Sequence, residues 1–239
     1  MIMSFIKTSR KKIDSDLAQS KLRKFFSPII YAQYKITIPT TQNYVNGNLI
    51  DIGCGYSPYK KYLENYVNNY QGIDLFPFNQ DVTYIGDFFD DNFFHDNQFD
   101  CALSFEVLEH VSNSDKFLSK IYRILKPNGF LIISVPHLSR LHEEPHDYFR
   151  FTKYGLSEIF TKNGFTIIEM KTKGGLFSFL GHQVSNLLVS TFWLLPMIKY
   201  IILYLNFLLF TLPCFWIDKL LDKNGIFAQG YVVVAKKIE

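Results

Sequence analysis

Apolar positions along this chain fall into short runs separated by polar turns, and their period changes from run to run. Leu49-Ile50-Asp51-Ile52 reads as a buried strand over 48–53 that stops at Gly53-Cys54-Gly55. Similar runs at 70–74, 82–85, 99–105 and 130–135 predict strands two to five, and 165–172 and 229–237 predict two more. Between them the spacing becomes helical. Phe117, Leu118, Ile121 and Leu125 share one face of a helix over 113–126, with Ser112 or Asn113 as its cap. Pro58 suits the first turn of a helix over 58–66, and a helix over 153–163 ends before Gly164. Leu17, Leu22 and Phe25 predict a helix over 13–26. Asn128-Gly129 marks the turn into strand five. Strands alternating with helices predict an α/β fold, doubly wound about a mostly parallel sheet.

Residues 174–224 break that plan. From Leu176 to Ile217 the one formal charge is Lys199, and 200–217 is almost wholly apolar. A spanning helix needs about 20 such residues. The flanking strands belong to one sheet, so a single crossing is excluded in an intact domain. Two crossings need about 40 residues plus a turn, and Pro196, Lys199 and Pro213 interrupt the run. An in-plane or re-entrant helical hairpin fits best; a helical lid or dimer interface is the alternative. The expected organisation is a basic N-terminal arm and helix over 1–46, a core over 47–175, a hydrophobic helical insertion over 176–224 and the last strand over 225–239.

Charge sharpens this picture. Residues 1–24 hold seven basic and two acidic side chains, whereas the rest of the chain carries 18 basic and 20 acidic. A basic arm suits an anionic membrane surface, or is a solvated terminus. Nothing basic continues onto the body, which argues against nucleic acid. Cys54, Cys101 and Cys214 form no pairable spacing, which argues for a reducing compartment and against a metal site. No cleavable leader is evident.

The chemistry starts at the glycines. Gly53 and Gly55 let the chain turn sharply and let a ligand lie against bare backbone at the first crossover of the sheet. A dinucleotide fingerprint needs a third glycine where this chain has Pro58, and Gly-Lys-Ser/Thr is absent. Strand two ends in Asp74, about twenty residues on, the spacing at which a carboxylate takes both ribose hydroxyls.

With Asp51-Ile52-Gly53-Cys54-Gly55, Gly72-Ile73-Asp74, Gly86-Asp87-Phe88, the run Phe99 to Val111 and the run Leu125 to Pro136, the chain resembles the class I S-adenosylmethionine-dependent methyltransferases, near the quinone-biosynthesis-like and type 11 groups. The resemblance covers roughly 47–175 and the last ten residues. It implies a seven-stranded Rossmann-like sheet whose last strand is antiparallel between strands five and six, with S-adenosylmethionine as cofactor. It implies that Asp51 orients the glycine loop or reaches the methionine amino group. Gly53, Cys54 and Gly55 would approach the methionine portion, and Asp74, with Leu75 beside it, the ribose. Asp87 and Phe88 would contact adenine by hydrogen bond and stacking. Ser104, Phe105 and Glu106 would lie below the cofactor, unless Glu106 caps its loop. Glu109-His110 matches the family pattern and is read as a structural brace.

After strand five, residues 136–152 hold three histidines, three acids, two arginines and a tyrosine. That is dense for a connector at the ligand-binding edge of a sheet. Its His-Glu-x-Pro-x-Asp-Tyr-x-Arg-x-Thr run resembles a subgroup associated with glycan and lipid-linked sugar modification. A hydroxyl acceptor needs a base; His142 and His146 are the candidates, His137 the third. Tyr148 and Arg150 are candidates for binding an anionic acceptor. The alternative is a loop that knits itself together, with Asp147 and Arg150 paired. The spacing is not the His-Glu-x-x-His of zinc hydrolases, so no metal ligand is expected. The expected function is O-methylation of a glycan, lipid-linked sugar or isoprenoid-like acceptor, small or lipid-linked, by an enzyme peripheral or monotopic at the cytoplasmic membrane face. The alternatives are a non-catalytic binding module docking on a membrane complex and, less well supported, a nicotinamide-dependent oxidoreductase.

Overall fold

The computed structural model describes residues 2–222 and 224–238. Seven strands form one sheet: β1 (Asn48–Ile52), β2 (Asn69–Asp74), β3 (Tyr84–Ile85), β4 (Phe99–Phe105), β5 (Leu125–Pro136), β6 (Phe165–Lys173) and β7 (Gly230–Lys237), in the order β3-β2-β1-β4-β5-β7-β6. β1 pairs parallel with β2 and β4, β2 with β3, and β4 with β5. β7 runs antiparallel to β5, with Ile133 opposite Val233. The expected order and direction of the last strand are therefore present.

The central strands are apolar on both faces because helices cover both. Leu49, Ile50, Leu103, Ile132, Ile133 and Val232 to Ala235 are wholly buried. β5 starts earlier than its apolar run because Asn128-Gly129 sits inside it as an irregularity: pairing jumps from Phe99↔Leu125 to Cys101↔Phe130. The helix Ser114–Ile124 is capped by Asn113, whose side chain accepts the Lys116 N–H at 2.9 Å, and buries Phe117, Leu118, Ile121 and Ile124. The helix Lys153–Lys162 is capped by Thr152, and Gly164 follows at φ +84°. The helix expected over 58–66 is shorter, Lys60–Leu63, followed by a 3-10 turn.

Two compact units emerge: 37–171 with 230–239, holding almost the whole sheet, and 1–36 with 172–229. The segments read as an arm and an insertion thus share a unit. In it Ile13, Leu17 and Phe26 pack with Val189, Trp193 and Leu203. Helix Ile2–Leu17 meets helix Leu176–Phe192; Arg10 Nη1 donates to Asn186 Oδ1 at 3.0 Å, and Trp193 Nε1 to Asp16 Oδ2 at 3.1 Å. Pro28–Gln42 is a helix where none was predicted. Pro28 fits its first turn, whereas Pro39 inside it and weak amphipathicity hide it in the sequence.

The apolar run 199–221 is one continuous helix of 23 residues with a π turn at Phe207–Thr211, long and apolar enough to cross a membrane by length and composition. Pro213 does not break it, because the π turn precedes it. Its buried face carries Leu203, Asn206, Thr211, Phe215 and Asp218, three of them polar. The Asn206 amide donates to the Phe25 and Phe26 carbonyls at 3.0 Å each. Asp218 accepts the Gly175, Phe177 and Ser178 N–H groups at the start of helix Leu176–Phe192. Ile201, Leu205, Leu208, Leu209, Trp216 and Leu220 face outward, and 22% of the most apolar stretch is buried.

Candidate functional site

β1 delivers Asp51 and the glycine loop to the C-terminal edge of the sheet. Gly53 has φ +71°, and a Cβ on it would lie 2.5 Å from Val107 Cγ2, so only glycine fits. Gly55, at φ +51°, is the opposite case: a Cβ there would meet nothing within 4 Å. The loop is therefore packed on one side and bare on the other, as a cradle for a cofactor requires. Asp74 stands beside that bare side: its Oδ2 accepts the Gly55 N–H at 2.8 Å, and its Oδ1 the Phe76 N–H at 3.3 Å. Leu75 and Phe76 next to it are about three-fifths exposed, and Tyr56 and Phe78 pack ring to ring at 5.0 Å. An apolar, aromatic rim beside a carboxylate at this edge of the sheet suits an adenosine.

Asp51 is buried and accepts a short hydrogen bond from the Tyr70 hydroxyl. Burial pushes its carboxyl up to about 7, with the Asp74 charge adding to the rise and the Tyr70 bond opposing it. Cys54 is buried over Gly72, and burial first, then the Asp51 charge, pushes its thiol up to about 12. It is an inert packing thiol. Ser104 is buried with no hydrogen-bond partner for its hydroxyl among the described residues. Phe105 packs edge-on to Tyr59 at 4.8 Å. Glu106 adopts φ +58°, rare for a non-glycine residue, and is held there by its N–H on the Ser134 carbonyl and by the Ser134 hydroxyl on its Oε1 at 2.7 Å.

Two expected contacts take other roles. Phe88 is turned into the core, 5.3 Å from Phe117 and 6.1 Å from Phe94, with the Lys120 ammonium over its ring. It is packing rather than an adenine platform; Asp87 beside it is exposed and accepts the Phe89 N–H at 2.8 Å. Arg150 is not free for an anionic acceptor. It grips Asp147 with both terminal nitrogens, at 2.6 Å each, and also donates to the Arg140 and Phe149 carbonyls. The Arg150 guanidinium holds the Asp147 carboxyl well below the usual carboxylate range. The self-knitting alternative for this loop is the arrangement observed.

The histidines differ. His137 Nδ1 is buried without a hydrogen-bond partner among the described residues, its ring 5.7 Å from Tyr231. His146 is exposed, with Nδ1 3.0 Å from the Tyr148 hydroxyl, itself half exposed. His142 sits deeper. Its backbone N–H donates to Asp147 Oδ2 at 2.9 Å, and its Nε2 lies 3.9 Å from Glu109 Oε1. The 3-10 turn Leu108–His110 is tied to the same loop, because the Glu109 carbonyl accepts the Tyr148 N–H at 2.9 Å. That gathering of Glu109, His110 and His142 is absent from any local spacing. The motif containing Glu109-His110 was its one sequence trace.

Comparison with known proteins agrees with this geometry. A methyltransferase-domain family matches residues 22–170. An uncharacterized protein of Methanocaldococcus jannaschii is 30% identical over 159 residues, 62% of this chain and 67% of that protein. A ubiquinone biosynthesis O-methyltransferase of Rickettsia prowazekii is 29% identical over 94 residues, 32% of this chain and 37% of its own length. The chain spans 13% to 38% of the curated relatives with a stated activity. A solved S-adenosylmethionine-dependent methyltransferase of Archaeoglobus fulgidus shares the fold, with a TM-score of 0.55 at 16% identity over 87% of this chain and 93% of that one.

Proposed function

We infer that this chain, which belongs to the class I S-adenosylmethionine-dependent methyltransferases, O-methylates a small or lipid-linked hydroxyl acceptor at a membrane surface. The acceptor class is a glycan, lipid-linked sugar or isoprenoid-like molecule. S-adenosylmethionine, when bound, supplies a methyl group already activated on a sulfonium. What the protein adds is alignment and a place for the acceptor's proton. The bare face of Gly55 and the carboxylate of Asp74 would hold the methionine and ribose portions, and Leu75 and Phe76 would shield the adenine. His146 is the base this reading favours. It is exposed at the ligand edge of the sheet, its Nδ1 is oriented by Tyr148, and its Nε2 is left for the acceptor. O-transfer is supported by the stated activity of the Rickettsia prowazekii relative.

The observation that carries the membrane reading is the outward face of the 199–221 helix. A helix on a water-soluble surface exposes its polar stripe. This one buries its polar Asn206, Thr211 and Asp218 beside Leu203 and Phe215, and exposes Ile201, Leu205, Leu208, Leu209, Trp216 and Leu220. A peripheral or monotopic seat at the cytoplasmic face, aided by the basic N-terminal segment, accounts for both.

The test is calorimetric binding of S-adenosylmethionine and S-adenosylhomocysteine to the full chain, beside Asp74→Ala and His146→Ala. Loss of the charged ribose contact is expected to weaken binding about tenfold to a hundredfold in Asp74→Ala. His146→Ala is expected to bind normally yet to lower radiolabelled methyl transfer into extracted lipid acceptors by about a hundredfold or more. Equal affinity in parent and Asp74→Ala would remove the cofactor site from this edge of the sheet. Unchanged transfer in His146→Ala would remove the base.

A further inference from the structure

We propose that Glu109, His110 and His142 form a binding site for one divalent transition-metal ion of the zinc type. The ligands come from two segments that only the fold unites: Glu109 and His110 on the turn after β4, His142 in the loop after β5. Glu109 Oε1 lies 3.7 Å from His110 Nε2 and 3.9 Å from His142 Nε2. All three ligand atoms lie within 4.8 Å of one another. Imidazole nitrogens and carboxylate oxygens bind zinc at about 2.0–2.2 Å, which in a tetrahedron sets neighbouring ligand atoms about 3.4 Å apart. The site needs side-chain movements of about an ångström to close on an ion.

The ring orientations favour a metal. His110 Nδ1 lies 2.7 Å from the His146 carbonyl oxygen, and His142 Nδ1 lies 3.2 Å from that of Arg140. A carbonyl can only accept, so in a neutral ring the His110 proton sits on Nδ1 and its Nε2 presents a lone pair. At His142 Nδ1 the carbonyl at 3.2 Å and Asp147 Oδ2 at 3.4 Å lie nearer than the Arg150 Nη2 donor at 3.5 Å, which favours the same tautomer. Carbonyl partners on the far nitrogen hold metal-binding imidazoles in this way in general. The two rings stand edge to face at 84°, with centroids 4.8 Å apart, and their lone pairs converge on a wholly buried carboxylate.

The donor set selects the ion. Two imidazoles and one carboxylate suit zinc, cobalt, iron or nickel, whereas magnesium and calcium prefer all-oxygen shells. The histidines are partly exposed, so an ion can enter from solvent. Glu143 Oε2, 3.9 Å from His110 Nε2 on an exposed side chain, is in reach as a fourth ligand. The site is independent of the methyl-transfer reading, and its test uses metal alone.

The full chain, stripped with a chelator, is titrated with Co2+ and Zn2+ without S-adenosylmethionine. Visible absorption of bound Co2+ and the zinc content after dialysis are read. One ion per chain is expected, with affinity falling about a hundredfold or more in His142→Ala and in Glu109→Gln, and unchanged in His95→Ala, a histidine outside the cluster. Circular dichroism of each variant checks the fold, and partly exposed His142 keeps the test open should Glu109→Gln not fold. Absence of a stoichiometric ion, or an ion retained equally by folded His142→Ala, would overturn the site; in the latter case the metal is a surface adduct.

Discussion

Asp51 illustrates how one side chain can tie stability to pH at the cofactor loop. Its folded carboxyl is pushed up to about 7 against an ordinary value of 3.8. Between these values the folded state holds a proton that the unfolded chain has released. Stability therefore falls as pH rises from about 4 to about 7, and the deficit is fully present above that window. Asp51→Asn keeps an acceptor for the Tyr70 hydroxyl and removes the titration. Thermal unfolding at about pH 5 and about pH 8, without cofactor, is expected to show the parent losing stability relative to this variant at the higher pH. An identical pH dependence in both would mean that Asp51 is ionised throughout. At this scale the sequence was informative where backbone geometry decides the residue, as at Gly53 and Gly55, or where an acid ends a strand, as at Asp74. It was silent where the direction of a side chain decides. Phe88 follows Asp87 in a cofactor-like motif, yet the turn after β3 aims it at Phe117. Nothing in a local pattern separates a ring that stacks on a ligand from one that packs in a core.

At the level of elements, the loop after β5 owes its shape to one ion pair. Asp147 is nearly wholly buried and bonded to both terminal nitrogens of Arg150 and to the His142 N–H. Asp147→Asn loses the charge and half of that fork, and is expected to destabilise the protein by about 2–3 kcal/mol, read from denaturant unfolding. The Asp147 carboxyl lies below its ordinary range, so this stabilisation is present above about pH 4 and is lost on acidification. A shift below about half a kcal/mol would reduce the pair to a surface contact. Strands β1 and β4 and helices Ser114–Ile124 and Lys153–Lys162 were legible to within a few residues, because buried parallel strands are continuous apolar runs and capped helices announce their ends. Helix Pro28–Gln42 was not, because a proline inside a helix reads as a boundary.

Across the whole molecule, the unit built from 1–36 and 172–229 changes how membrane binding is to be tested. Removing the insertion would strip the cover from Ile13, Leu17 and Phe26, so poor solubility of such a deletion says nothing about lipid. Charged substitutions on the outward stripe leave that packing intact. Leu205→Glu with Leu209→Glu and Leu220→Glu is expected to abolish co-sedimentation of the full chain with anionic vesicles, while the parent sediments less as salt rises. Equal sedimentation of parent and variant would rule out this face as the lipid contact. The sequence disclosed the apolar run but not which of its residues face outward, since that depends on a π turn that no composition announces. The same assembly also sets a timetable on the ribosome. The first helix ends at Leu17, and the helix that covers its apolar side begins at Leu176. At about 5–20 residues per second, the nascent chain carries that uncovered surface for roughly ten to thirty seconds. β7, the strand wedged between β5 and β6, is synthesised later still. Until it arrives β5 presents an unpaired edge and β6 has no strand beside it, so pairing at that end of the sheet waits for β7.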